Sequence, residues 1–558
     1  MSLKSLFAAA LLLSSAATFG AAQQTSSTTR CVQPGVGREW VISGTDTIHY
    51  CPSGQVCQQN GGDVLCVAKP DNSNFAAAAA KGKKTTTTKG KKTTTTKGKK
   101  TKTTKTTTTK SKPTKTPSPP PPPPNGGFNY RKAPSKVGAV AYWPNWSQYS
   151  RPENIIDKVD VSKLTVVNYA FFNVDTDGSL MSFDMWGDFR GSDNTKNKDF
   201  PAFSTLTDGG IYHLSKARSA NSNLRAVVSI GGWSGSVNFS KVAASSTARA
   251  AFVKNVHTFL DEYQFDGVDI DWEYPGGGGL GCNSVDPQDA VNFNTLLSQL
   301  RTELGSDRII SIAGSGEASR YTVGGTNYLA QYAKSLSYFQ VMTYDFYGSW
   351  NAYTDFNSPL NFPGSSDPQE PASNGVYDGN KQISISSAIT SYISSGVSKN
   401  QLVAGIAFYG RSWAVEAGSK AKNNGLYQLC KLPSGTQDSK NPKACPPIPG
   451  DSLDAAAPWT DPCGQSYYTG VWMYRNMRKD GVLSNPTTPA GSWKRQYFNF
   501  AESPTLFNGT VFISYDDTQS VAAKASWAKS QGLSGVMFWE LSEDYNSELY
   551  NAATGAFL

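Results

Sequence analysis

Eight short apolar runs rich in β-branched residues recur from about residue 134 to the C-terminus, and stretches of helical periodicity separate them. The runs are Val137–Tyr142, Leu164–Phe172, Leu224–Ile230, Phe265–Asp271, Ile309–Ala313, Phe339–Tyr344, Leu402–Phe408 and Val536–Trp539. Helices are predicted at Ser245–Tyr263, Pro287–Leu304, Ile383–Ser394 and Ser520–Gly532, the last capped by Asp516-Asp517. A run that is apolar on both faces must be covered on both faces, as in a parallel sheet whose crossovers are helices. Eightfold alternation predicts an α/β fold, a (β/α)8 barrel with its active site at the strand C-termini. A doubly wound open sheet satisfies the same count.

The residues at one strand end point to chemistry. In Phe265–Glu273 the carboxylates Asp269, Asp271 and Glu273 are spaced by two, so a strand directs all three to one side. Val268, Ile270 and Trp272 then face the helix layer. Three carboxylates converging in a barrel mouth cannot all ionise cheaply, and at least one pKa must rise, which suits a general acid near neutral pH. A solvated acidic loop would not alternate its carboxylates with Val, Ile and Trp. A divalent-cation site rarely takes three ligands from one strand. No metal or cofactor is expected: the only histidines, His49, His213 and His257, have no ligand spacing, which also argues against Ser-His catalysis. The glycine run Gly276–Gly279 lacks the lysine of a phosphate loop and is predicted to be a flexible connection.

The segment Asp266-Gly267-x-Asp269-x-Asp271-x-Glu273 resembles the signature of the chitinases of glycoside hydrolase family 18. Companion motifs follow in the expected order: Ser229-Ile-Gly231-Gly232 ends the third run, Met342-Thr-Tyr344-Asp345 the sixth, Tyr409-Gly-Arg411 follows the seventh, and Trp539 ends the eighth. The resemblance covers about residues 134–558 and implies the barrel. It also implies that Glu273 protonates the glycosidic oxygen and later activates water. The carbonyl oxygen of the substrate's own N-acetyl group attacks C1, so no carboxylate nucleophile is required. Asp271 would hold the acetamido N–H, Asp269 would share a proton with it, and Tyr344 would donate to the acetamido oxygen. Asp345 would orient the sugar and Trp539 would floor the reacting subsite. Tyr142, Trp143, Trp233, Tyr274, Met342, Trp350 and Tyr409 would line the cleft, with Arg411 as a sugar-contacting cation. Ser229, Gly231 and Gly232 would shape the strand end. The implied partner is chitin or its oligosaccharides. An endo-β-N-acetylglucosaminidase on N-glycans would use the same acids, and a chitin lectin would be expected to lack Glu273.

Outside the barrel the chain changes character. Lys4, the apolar run Leu6–Leu13 and the small residues Gly20 and Ala22 predict a secretory signal over residues 1–22, too short for a membrane span. The cysteines fall into two even groups, Cys31, Cys51, Cys57 and Cys66, then Cys282, Cys430, Cys445 and Cys463. They suit an extracellular destination, with their pairing left open. Asn145, Asn238 and Asn508 begin possible glycosylation triplets. Residues 23–70 loosely resemble small fungal carbohydrate-binding modules, with Trp40 and Tyr50 as candidate stacking residues.

Residues 71–127 repeat Lys-Gly-Lys-Lys-Thr-Thr-Thr-Thr from Lys81 and Lys89, end in the prolines Pro119–Pro124, and are predicted to be a disordered spacer. Fourteen lysines and no acid lie in residues 81–115, so the net charge of +9 belongs to the spacer and the remainder carries −5. Neither nucleic-acid binding nor membrane insertion follows from such a distribution. About Glu416–Phe500 is longer than a barrel connection requires. It is predicted to be a small α+β insertion that deepens the cleft and favours chain-end or processive attack. A monomer is expected.

Overall fold

The computed structural model describes residues 128–190, 198–362, 383–415, 423–433 and 443–557, together with five N-terminal strands between Thr29 and Ala68. The predicted signal (1–22) and spacer (71–127) lie outside the described residues. In the N-terminal unit, Thr29–Cys31, Glu39–Ile42 and Ile48–Tyr50 form an antiparallel sheet with the strand bearing Trp40 at its centre. A separate hairpin, Gln55–Asn60 with Asp63–Ala68, sets Cys57 opposite Cys66.

The C-terminal unit is built on eight parallel strands: β1 (Gly138–Pro144), β2 (Val166–Val174), β3 (Arg225–Gly231), β4 (Gly267–Asp271), β5 (Ile309–Ser315), β6 (Tyr338–Met342), β7 (Leu402–Ala407) and β8 (Gly535–Trp539). They pair in sequence order, and β8 pairs with β1, which closes the ring. Closure decides between the two folds that the strand count allowed, because a doubly wound sheet would leave two edges.

Alternation along each strand sorts its side chains. Val140, Val166, Val227, Ile309, Val403 and Met537 fill the barrel interior. Val228, Ile230, Val268, Ile270, Ile310, Ile312, Val536 and Phe538 face outward to the helix layer. The four predicted helices form at Ser246–Glu262, Asp289–Leu304, Ile385–Ser394 and Thr518–Ser530. Of Asp516-Asp517 only the second is the cap, its carboxylate accepting from Gln519 and Ser520 N–H; Asp516 instead forms a buried ion pair with Lys524.

Trp272 faces outward as predicted, stacked on Phe239 at 5.6 Å and edge-on to Phe293 at 5.2 Å. Removing that indole leaves a cavity beneath the catalytic strand. Trp272→Ala is expected to destabilise the domain by about 3–5 kcal/mol, read as a lower midpoint in urea unfolding followed by fluorescence and circular dichroism together.

Between β7 and β8 the chain forms a five-stranded antiparallel sheet in the order Val471–Met473, Tyr409–Ala414, Val511–Ser514, Ser503–Phe507 and Lys494–Phe498, with a helix at Tyr474–Lys479. This α+β unit has its own apolar core of Phe356, Trp413, Tyr427, Phe498 and Phe512. It runs wider than 416–500, because Tyr409–Ala414 and Val511–Ser514 are two of its inner strands. The downstream cysteines pair as Cys282–Cys463 and Cys430–Cys445. No helix among the described residues is long and apolar enough to cross a membrane.

Candidate active site

On β4 the inward positions following Gly267 are Asp269 and Asp271, and Glu273 follows where the strand ends. Asp269 is fully buried and its carboxylate takes four hydrogen bonds, two on each oxygen. Tyr142 OH (2.8 Å) and Ser229 Oγ (2.7 Å) donate to Oδ2; Ser311 Oγ (2.7 Å) and Gln340 Nε2 (2.9 Å) donate to Oδ1. Ser229 and Ser311 are the direct register partners of Asp269 on β3 and β5. Asn168 on β2 holds Gln340 in turn, donating to its Oε1 at 2.8 Å. Burial pushes the Asp269 carboxyl upward, and the four donors oppose that by favouring the ionised form.

Asp271 has no such support. Its Oδ1 is buried without a hydrogen-bond partner. Burial, then the charges of Glu273 and Asp269, drive its carboxyl well above the usual range. With every acceptor site on Asp269 filled, a proton shared by these two carboxyls resides on Asp271. Glu273 is pushed up to about 7 by burial and by the charge of Asp345, against a hydrogen bond from Tyr274. Its N–H donates to Ser236 Oγ at 2.8 Å and its carbonyl accepts from Asn283 Nδ2 at 2.9 Å, so the backbone at the strand end is held on both sides. Gly231 beside it admits no side chain: φ is +116°, and a Cβ would lie 2.1 Å from the Asp271 carbonyl oxygen.

The remaining predicted residues fall into three groups. Met342, Tyr344 and Tyr409 are buried in the lining of the mouth, with Tyr274 and Trp539 at its edge. The Tyr344 hydroxyl donates to the Met537 sulfur at 3.7 Å, a weak acceptor that a carbonyl oxygen can replace. Trp539 stacks on Phe171 at 5.6 Å, with planes 15° apart. Trp233 and Trp350 are the exposed aromatics, 40% and 49% accessible. Asp345 and Arg411 form a two-pronged ion pair at 2.8 Å, and the guanidinium also lies over Trp350 and Tyr409. Arg411 is therefore committed to a protein carboxylate, not held free for a sugar.

Two predicted cleft aromatics stand elsewhere. Tyr142 is buried inside the barrel, bonded to Asp269 and packed 5.4 Å from Trp539, so it supports the site from below. Trp143, its neighbour on β1, points the opposite way into the helix layer and donates to the Asn154 carbonyl. Asp266 lies at the far, N-terminal end of β4, where its carboxylate binds Arg218 and the Arg131 N–H. Gly276–Gly279 is tied down by Arg320, which donates to the Gly277 carbonyl. Asn145 is buried with its amide donating to Asp188, which leaves no room for a glycan there.

Sequence reasoning passed over Asn168, Ser311 and Gln340, although each is a lone polar residue inside an apolar run, which is the signal that marks them. It also passed over Trp146, which is exposed and lies 6.4 Å from Trp539. Among the described residues no group of three His, Cys, Asp or Glu could hold a metal ion.

The chain matches the sequence profile of the glycosyl hydrolases family 18 over residues 139–544. It is 33% identical over 451 residues to Chitinase A1 of Niallia circulans, an alignment that covers 74% of this chain and 57% of that protein. Among solved structures, a Bacillus thuringiensis chitinase superposes with a TM-score of 0.59 at 28% identity, covering 77% of this chain and 70% of that one. A Rhizomucor miehei chitinase gives 0.59 at 26% identity, covering 75% and 99%.

Proposed function

The chain belongs to glycosyl hydrolase family 18, and on that premise we propose that it hydrolyses β-1,4-linked N-acetylglucosamine polymers with retention at C1, the substrate's acetamido group acting as nucleophile. The observation that carries this reading is Asp271 Oδ1, buried without a hydrogen-bond partner, together with a Tyr344 hydroxyl that has only the Met537 sulfur as acceptor. Leaving a buried polar atom unpaired costs about 1–3 kcal/mol, so the bare Asp271 oxygen and the weakly satisfied Tyr344 hydroxyl suit a site whose ligand completes them. An acetamido group has one N–H for Asp271 and one carbonyl oxygen for Tyr344.

In the proposed reaction Glu273, still protonated near neutral pH, gives its proton to the glycosidic oxygen as the acetamido oxygen closes on C1. Asp271 passes its proton to Asp269 as one of the hydroxyls donating to that carboxylate turns away to free an oxygen, and Asp271 then stabilises the positive oxazolinium ring as a carboxylate. Glu273, now ionised, takes a proton from the water that opens the ring. Trp539, supported by Phe171 and Tyr142, offers the flat apolar surface for the sugar. Incubation with N-acetylated chitohexaose should release β-anomeric products; α-anomers would exclude acetamido participation.

Because Glu273 acts while protonated and its pKa is raised to about 7, kcat/KM is expected to be high below that pH. It should fall about tenfold per unit above it. A rate still rising from about pH 7 to 9 would remove Glu273 from the acid role.

We propose secretion as well, supported by the N-terminal apolar segment and by two disulfides in the C-terminal unit, which form and persist in oxidising compartments. The N-terminal unit, with Trp40 on the central strand of its sheet, is proposed to bind chitin. The protein is proposed to act as a monomer.

A further inference from the structure

The hairpin Trp459–Thr460 with Ser466–Tyr467 grows out of the β7 insertion and carries Cys463 in its turn. Cys463 is bonded to Cys282, 181 residues away on the loop after β4 and nine residues beyond Glu273. In an eight-strand ring β7 is three places from β4 and four from β3, which stands directly opposite. A second contact reaches that opposite strand: the Trp233 side chain, just past β3, lies against Tyr467.

The segment's other end is anchored at the start of the β7 insertion. Val471 pairs in register with Arg411, and the Thr469 carbonyl accepts from Arg411 Nη1 at 3.4 Å. Arg411 in turn grips Asp345, whose charge acts on Glu273. Residues 467–471 therefore start beside Trp233, past β3, and end at Arg411, whose partner Asp345 neighbours the catalytic acid. Asp454 stiffens the crossing, accepting from Thr469 Oγ1 and N–H and from Gly470 N–H.

We infer that the Cys282–Cys463 bridge closes a covalent arch over the catalytic groove, so that a glycan polymer enters by an end and is threaded rather than laid in from the side. This rests on the hydrolase reading above and adds to it the mode of attack. A soluble chitin derivative such as carboxymethyl-chitin reports the difference. Internal cuts lower viscosity at few new reducing ends, whereas threaded cutting releases reducing ends with little loss of viscosity.

The full-length chain and its Cys282→Ser/Cys463→Ser variant are compared on this polymer and on N-acetylated chitohexaose. Opening the arch should raise viscosity loss per reducing end by about fivefold and leave kcat/KM on the hexamer within about twofold. If the variant fails on the hexamer, wild-type protein with this bridge mildly reduced and alkylated decides the matter, peptide mass confirming that only it was opened. Cys282 is exposed while Cys430 and Cys445 are buried, which separates this bridge from the other one in the C-terminal unit. An unchanged viscosity-to-end ratio with the hexamer still cleaved overturns the arch alone. A wild-type chain inert on the hexamer overturns the hydrolase reading, and the arch with it.

Discussion

Glu273→Gln should lower kcat on N-acetylated chitohexaose by about three to four orders of magnitude, with KM within about threefold of wild type. Glutamine keeps the size and polarity of the side chain but has no acidic proton for the leaving oxygen and cannot later serve as a base. The expected loss corresponds to about 4–5.5 kcal/mol of transition-state stabilisation. No other group stands ready to replace it. Asp271 faces the acetamido position, Asp269 is enclosed by four donors, and Asp345 is held by Arg411. Steady-state kinetics on the hexamer, with circular dichroism to show that the fold is intact, makes the check; a loss under about tenfold would mean that the leaving group departs without this proton.

Asp271→Asn is expected to cost about 10²–10³ in kcat, nearly all of it outside KM. The substitution leaves an acceptor oxygen for the acetamido N–H, so ground-state binding survives. It removes the negative charge that develops on Asp271 as it gives up its proton, and with it the stabilisation of the positively charged ring. The low-dielectric surroundings that raise the Asp271 carboxyl in the resting protein also make its charge effective once formed. Retention of more than about a tenth of wild-type kcat would show that the intermediate needs no carboxylate beneath it, contrary to the proposed role.

Both expectations draw on features legible in the chain itself. All eight barrel strands, the four long helices and the common direction of Asp269, Asp271 and Glu273 follow from local periodicity, because successive residues of any strand point to opposite sides. The outward placement of Val268, Ile270 and Trp272 has the same origin. Sequence also marked the strand-end motifs Tyr344-Asp345 and Trp539, which the fold brings to one mouth.

Tertiary structure alone decided what each inward side chain meets. The four donors to Asp269 come from β1, β3, β5 and β6, at separations of 127, 40, 42 and 71 residues. Their convergence depends on ring closure and on the stagger between strands, which no local pattern encodes. The same closure placed Tyr142 beneath Trp539. The pairing of Cys282 with Cys463 belongs here too, since four cysteines permit three pairings and only the spatial path of the insertion selects one. Local periodicity determined which side chains point inward; closure of the barrel and the route of the insertion across its mouth determined which of them touch.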